Sequence, residues 1–273
     1  MKPHLTVIMR SRGNETLDAA IKSVLDSSAA GSETEIVIVA FSDMFSDSMN
    51  GQIRTIKCSA KRIEAKVIGV SAARGEKIMF LDSDQTVAPD LIPKILNFDH
   101  DMGIVPERSL NTNVMAKLMN SKRIYTEKRM RQRIDLSLPV IPRVFNRELI
   151  EKTFNSLDKM IIKNVTETED SIIFYEALKY SKDIGWIDSF IFNVDPGLKE
   201  FLMKSYEYGL RNERAILDGN LGDEYIELIR RIQFETLINN RSFSLSVLLL
   251  NLLRGVPYVI GSLNARFKKR YKA

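Results

Sequence analysis

Short β-branched runs alternate with amphipathic helical segments through the N-terminal third of the chain, and this alternation constrains the fold more than any other feature. The runs 5–9, 35–41, 53–58 and 77–81 are each bounded by polar residues or glycine, which marks buried strands. Between the first two, Leu17, Ala20, Ile21, Val24 and Leu25 recur at the spacing of one apolar helix face, which predicts a helix over 15–27. A second helix is predicted over 63–73. Strand and helix in this order imply right-handed βαβ units on a mostly parallel sheet with helices on both faces, an α/β fold.

Open sheets of this kind bind ligands beyond the carboxyl ends of their strands, where strand order reverses. Three segments fall there: Arg10-Ser11-Arg12-Gly13-Asn14, Phe41-Ser42-Asp43 and Asp82-Ser83-Asp84. No Gly-x-Gly-x-x-Gly follows the first strand and no Gly-x-x-x-x-Gly-Lys-Ser/Thr occurs, which argues against dinucleotide binding and a P-loop.

The middle of the chain predicts helices over 113–130, 147–155 and 168–180, an extended segment over 139–145 and a strand over 184–194. After Pro196 the pattern is helical: 197–217, 223–239, then an apolar pair of short helices from 242 onward divided by Gly255-Val256-Pro257. The expected organisation is a main domain over 1–217 and a helical extension over 218–273.

One cysteine, Cys58, and two histidines, His4 and His100, leave no material for a disulfide or a multi-histidine zinc site. The net charge of +5 concentrates in 122–133 and 266–272. Arg10 and Arg12 interrupt the N-terminal apolar stretch too early for a signal peptide, so a cytoplasmic location is expected. The basic run 122–133 reads as a solvated helix face, with gathering of a phosphate-bearing acceptor as the alternative. No nucleic-acid module accompanies the charge, so no nucleic-acid partner is expected.

Asp82 and Asp84 follow directly on the apolar Ile78-Met79-Phe80-Leu81, which stands two carboxylates at a strand end. Hard Mg²⁺ or Mn²⁺ takes such oxygen ligands and bridges them to a substrate diphosphate. The same triplet also suits a simple turn after a strand. The surroundings distinguish the two readings. Ala65-Lys66-Val67-Ile68-Gly69, then Ala73-Arg74-Gly75-Glu76, then 77–81 and Asp82-Ser83-Asp84, follow the order and spacing of the family-2 glycosyltransferases of GT-A fold, which this chain resembles. Pro142-Arg143-Val144-Phe145-Asn146-Arg147-Glu148-Leu149 and the pair Glu169-Asp170 are similar to that family's acceptor-side segments, and the resemblance covers about residues 5–210.

The resemblance implies an inverting transfer of a sugar from a nucleotide-diphosphate-sugar donor, with Mn²⁺ or Mg²⁺ as cofactor. Asp84 would be the principal metal ligand, with Asp82 on the ribose or indirectly on the metal, and Ser83 the spacer. Lys66 stands where the family has arginine; it reads equally as a diphosphate contact and as a solvated helix residue. Asp170 would be the catalytic base. Glu169 has two readings, donor contact or partner of Thr166 in a capping box. Where the family carries an aspartate-rich nucleobase segment, this chain has Phe41-Ser42-Asp43, leaving Asp43 as the substitute and Phe41 as a stacking surface or a buried strand end. Arg10 and Arg12 replace the family's first-strand motif and suit phosphate contact or loop solvation. In place of the family's histidine stand Asn193 and Asp195, which read as a further metal oxygen or as the start of the next helix.

The C-terminal helices, with their basic flank 266–272, suit a membrane interface through 242–273, placing the protein at the inner face of the cell membrane with a lipid-linked or glycan acceptor. A core helix or a homo-oligomer contact is the alternative there. Two other functions compete overall: a nucleotidyltransferase, and a catalytically inactive scaffold that binds nucleotide sugar.

Overall fold

The computed structural model describes residues 3–11, 16–27, 33–41, 52–134, 140–165, 168–219, 221–237 and 245–270. In chain order these form β1 (Leu5–Ser11), α1 (Leu17–Ser27), β2 (Thr34–Ala40), β3 (Ile53–Lys57), α2 (Arg62–Ala72), β4 (Lys77–Asp82), β5 (Gln85–Val87), α3 (Leu91–Leu96), β6 (Met102–Ile104) and β7 (Glu107–Ser109). There follow α4 (Val114–Gln132), β8 (Val144–Asn146), α5 (Arg147–Ser156), α6 (Lys159–Asn164), α7 (Glu169–Ala177), β9 (Ile184–Trp186), β10 (Ile191–Asn193), α8 (Leu198–Leu217), α9 (Asp223–Leu237) and α10 (Leu245–Arg270). The chain divides into two compact units, each discontinuous in sequence. Unit 1 is Met1–Arg108, Ile141–Leu157 and Ile173–Asn193, and unit 2 is Ser109–Val140, Asp158–Ile172 and Val194–Ala273.

Unit 1 is the α/β body. Its main sheet has seven strands in the order β3-β2-β1-β4-β8-β6-β9. β3, β2, β1 and β4 run parallel, and β8 pairs antiparallel with both β4 and β6. Every residue of β2 and all but one of β1 are buried, as expected where helices cover both faces of the sheet. One side of the core joins Leu5, Val7 and Met9 to Leu17 and Val24 of α1 and Leu91 and Ile95 of α3. On the other, α2 lies so close that a Cβ at Gly69 would stand 2.5 Å from Ile8 Cγ2.

Glu35, on β2, holds three segments together. It accepts from Thr6 Oγ1 at 2.7 Å, from the Arg74 backbone N–H at 2.6 Å and from Arg74 Nε at 2.7 Å. Burial alone pushes this carboxyl up, but those hydrogen bonds and the Arg54 charge outweigh it and hold the group below the usual carboxylate range. Its stabilising contribution is therefore full at neutral pH and fades as acid protonates it. The next residue but one after Ala73 is Gly75, whose N–H donates to Thr6 Oγ1 at 2.9 Å. A Cβ at Gly75 would lie 2.6 Å from Thr6 N and 2.7 Å from Leu5 C, both backbone atoms of a central strand that cannot turn aside. Gly75→Ala is expected to cost about 3 kcal/mol in urea unfolding, and a loss under about 0.5 kcal/mol would contradict the close approach.

The expected strand over 184–194 is two strands. The chain bends at Asp188–Ser189, so β9 joins the main sheet and β10 joins a small one of order β5-β10-β7. Ser189 Oγ donates to Asp90 Oδ1 at 2.5 Å and fixes that bend, a contact made across a long sequence separation.

Unit 2 contains α4, α6, α8, α9 and α10, so α8 shares a unit with the helices of the expected extension. The expected apolar pair of helices is a single one: α10 runs unbroken through Gly255 and Pro257. Proline in a helix interior removes one hydrogen bond and costs about 3 kcal/mol. Here close packing on α8 offsets it. A Cβ at Gly209 would sit 2.0 Å from Tyr258 O, and one at Gly261 would sit 2.1 Å from Tyr206 O, so the two helices touch backbone to backbone. Asn212 Nδ2 donates to the Tyr258 hydroxyl at 3.0 Å, Asn264 Nδ2 donates to the Tyr206 hydroxyl, and Arg266 pairs with Glu213 at 2.7 Å.

α4 also packs on α10, through Met115 and Leu250. The basic run on α4 is therefore not simply a solvated face. Lys122 Nζ donates to Asn251 Oδ1 at 2.8 Å, and burial followed by the Arg254 charge pushes its ammonium down to about 7.

Candidate active site

β4 carries the apolar run and delivers Asp82 at its end; a turn through Ser83 and Asp84 then starts β5. Both aspartates are exposed and Ser83 is half-buried. β1 ends alongside, with Arg10 in register with Asp82. The Arg10 guanidinium lies over the Phe41 ring, 5.1 Å from its centroid, so Phe41 is engaged by a cation from the end of the neighbouring strand β1. From β1 the chain proceeds to β2 on one side, while β4 flanks β1 on the other. The aspartates thus stand at a topological switch point, where such sheets open a crevice.

Five side chains close a ring around this strand end. The Asp82 backbone N–H donates to Gln85 Oε1 at 3.0 Å, and Gln85 Nε2 donates to Asn193 Oδ1 at 2.9 Å. Asn193 Nδ2 donates to Glu107 Oε2 at 3.1 Å. Arg143 Nη2 donates to Glu107 Oε1 at 2.8 Å, and its Nη1 returns to Asp82 Oδ2 at 3.5 Å. Arg143 is buried, and a buried guanidinium is tolerated only when it is paired. The ring ties β5, β7, β10 and the residue leading into β8 to the turn that presents Asp84. Gln85, Glu107 and Arg143 did not stand out in the sequence as site residues. The one available signal was an arginine set among apolar residues in Pro142-Arg143-Val144-Phe145.

Lys66 does not lie on a solvated helix face; it is buried, with Nζ 5.2 Å from the centroid of the Phe80 ring. Phe80 and Asp82 are two apart on β4, so strand periodicity turns both toward the sheet face that α2 covers. Lys66 thus places a cation on the face that bears Asp82.

Glu169 and Asp170 open α7, where carboxylates favour the positive end of the helix dipole. Glu169 is buried and Asp170 half-exposed. The residue before them, Thr168, has φ 60°, a conformation that is strained for a β-branched side chain. Thr166, the expected capping partner of Glu169, lies outside the described residues, as do Arg12, Asn14 and Asp43.

The reading of Asp195 as a metal oxygen gives way to a structural role. Asp195 is buried, with Oδ1 bound by Arg123 Nη2 at 2.7 Å and Oδ2 by Arg123 Nη1 at 2.8 Å, and Ser109 Oγ donates to the same Oδ2. A bidentate guanidinium neutralises the charge a cation would need. Asn193 likewise spends its side chain on Gln85 and Glu107.

Among the described residues no group of three His, Cys, Asp or Glu side chains is placed to hold a metal ion. A closed protein cage of the zinc type is therefore not what these residues offer. Two exposed aspartates at one strand end do fit Mg²⁺ or Mn²⁺, which takes one or two carboxylates and completes its shell with phosphate oxygens and water.

An open, mostly parallel α/β sheet of this strand order, flanked by helices, is the fold of the GT-A glycosyltransferases. Residues 6–154, more than half of the chain, match the profile of Glycosyl transferase family 2, and the chain belongs to that family. Among solved structures, it is similar to the mannosyltransferase PcManGT from Pyrobaculum calidifontis in complex with GDP-Man and Mn²⁺, at 13% identity and a TM-score of 0.58, covering 98% of this chain and 88% of that one. It is also similar to residues 1–349 of S. aureus TarS, at 14% identity and a TM-score of 0.53, covering 94% and 80%. TarS in complex with UDP-GlcNAc aligns at 16% identity with a TM-score of 0.51, covering 96% and 81%. These likenesses are of fold. No curated protein matches the chain.

Proposed function

We propose that this protein is an inverting glycosyltransferase that moves a sugar, of the hexose type, from a nucleotide-diphosphate-sugar donor to a hydroxyl of a lipid-linked or glycan acceptor. The observation that carries the reading is the exposed Asp82–Ser83–Asp84 turn, braced by the Arg143–Glu107–Asn193–Gln85 ring at the switch point of a family-2 sheet. Asp84, with Asp82 beside it, would hold Mg²⁺ or Mn²⁺ against the donor diphosphate. When bound, that cation supplies positive charge where the leaving diphosphate oxygen becomes negative.

The remaining roles belong to the chain itself. Arg10 lies alongside Asp82, Lys66 on the same sheet face, and both are donor-side cations suited to phosphate. Asp43 and Arg12 keep their proposed donor contacts, and Glu169 is proposed as a donor contact beside the base. Asp170 takes the proton of the acceptor hydroxyl as that oxygen bonds to the anomeric carbon; the bond from that carbon to the diphosphate breaks, its electrons leave with the nucleotide, and configuration inverts. The strain at Thr168, immediately before these carboxylates, supports the assignment, because such outliers cluster at working sites. The acceptor is proposed to lie at the inner face of the cell membrane.

The test is release of nucleoside diphosphate from a panel of nucleotide sugars, with Mn²⁺ or Mg²⁺, in the presence of detergent-dispersed membrane lipid. One donor should be consumed, with the sugar recovered on a lipid in the opposite anomeric configuration. Retained configuration would contradict inversion; consumption of a sugar 1-phosphate and a nucleoside triphosphate instead would favour the nucleotidyltransferase; no turnover with any donor would favour the inactive scaffold.

A further inference from the structure

The helix Leu245–Lys268 is long and apolar enough to cross a membrane. Its packing specifies something different. Leu245, Leu249, Leu252, Val256, Ile260 and Leu263 are all exposed and recur at helical spacing, forming a continuous apolar stripe along one face. Leu252, Val256 and Ile260 are 57%, 59% and 54% exposed. The opposite face, with Asn251, Tyr258, Gly261 and Ala265, packs on α8 and α4 through backbone contact and hydrogen bonds. α8 runs beside α10 for much of its length, and its own outer surface is charged: Lys204 pairs with Glu200 and Arg211 with Glu207, all exposed. A helix bound this way cannot cross a bilayer without carrying those charges into hydrocarbon. The sequence that follows the stripe, Arg266 to Lys272, is basic, and the exposed Lys268 within it is complementary to acidic headgroups.

We infer that α10 is an in-plane membrane helix, preformed on α8, that seats its apolar stripe in the interface of an anionic bilayer without spanning it. This deepens the membrane-proximal acceptor reading, and its test is independent of catalysis. The full-length protein is mixed with vesicles of phosphatidylcholine alone or containing a third phosphatidylglycerol, and floated on a density gradient. The floated fraction should rise roughly tenfold with anionic lipid and fall again at about 0.5 M salt. The triple variant Leu252→Asp, Val256→Asp, Ile260→Asp should stay unbound while its circular dichroism remains unchanged. A second variant, Lys268→Glu, Lys269→Glu, Arg270→Glu, should lose the preference for anionic lipid. Alkaline carbonate should release the bound wild type.

Wild type that never floats, or a triple variant that floats as well as wild type, would overturn the inference. Resistance to carbonate would overturn the in-plane geometry in favour of a spanning helix. A concentration-dependent dimer that the triple variant dissolves, with no lipid binding, would assign the stripe to a second copy of the chain instead. Protein that floats but takes no nucleotide sugar would leave this inference standing and remove the acceptor reading.

Discussion

Asp170→Asn is expected to lower sugar transfer by about 10²- to 10⁴-fold, the usual contribution of a positioned general base. Asparagine keeps the shape and the polar first-turn position at the start of α7 but cannot accept a proton. The fold and the donor affinity should therefore be unchanged, and the loss should appear in kcat. Turnover within about threefold of wild type would remove Asp170 from the chemistry and leave it as a dipole-favoured residue of a helix terminus.

Asp84→Ala is expected to abolish the part of donor affinity that depends on Mn²⁺. Calorimetric titration of the donor should show at least a tenfold weakening with Mn²⁺ present, about 1.4 kcal/mol, and little change in EDTA. Asp82 should matter less in the same titration. Its carboxylate faces the Arg143 guanidinium at 3.5 Å, so part of its charge is already met by the protein. Equal losses for Asp82→Ala and Asp84→Ala would mean that the two share the cation. An Asp84→Ala variant with wild-type affinity in Mn²⁺ would contradict the role given to it.

The α/β body was legible because its signals are local. The strands around Val7 and Ile38 are short β-branched runs, α1 repeats at helical spacing, and Asn113 at the start of α4 caps it by accepting from the Ala116 N–H. The unit built around α8 and α10 was harder to read, because what sustains α10 through Pro257 is contact of Gly209 and Gly261 with a neighbouring helix about fifty residues away in sequence. Local rules weigh Gly255 and Pro257 as a break, and tertiary packing overrides them.

The site divided in the same way. Asp82 and Asp84 announce themselves by following a strand, whereas Gln85, Glu107 and Arg143 acquire meaning only from a ring closed across four strands. Lys66 and Asp195 were ambiguous because burial and pairing decide such residues. The fold buries Lys66 against Phe80 and gives Asp195 to Arg123.

The binding of an activated sugar at the end of β4 is tested most directly by thermal unfolding of the wild-type protein with UDP- and GDP-linked sugars, each with and without Mn²⁺. A ligand that binds only the native state raises Tm, and at a hundredfold excess over Kd the rise should be about 5 °C or more. One nucleotide sugar should produce that shift with Mn²⁺ and lose most of it in EDTA. Unchanged Tm across the whole panel, with the metal present, would contradict a nucleotide-sugar site in this protein.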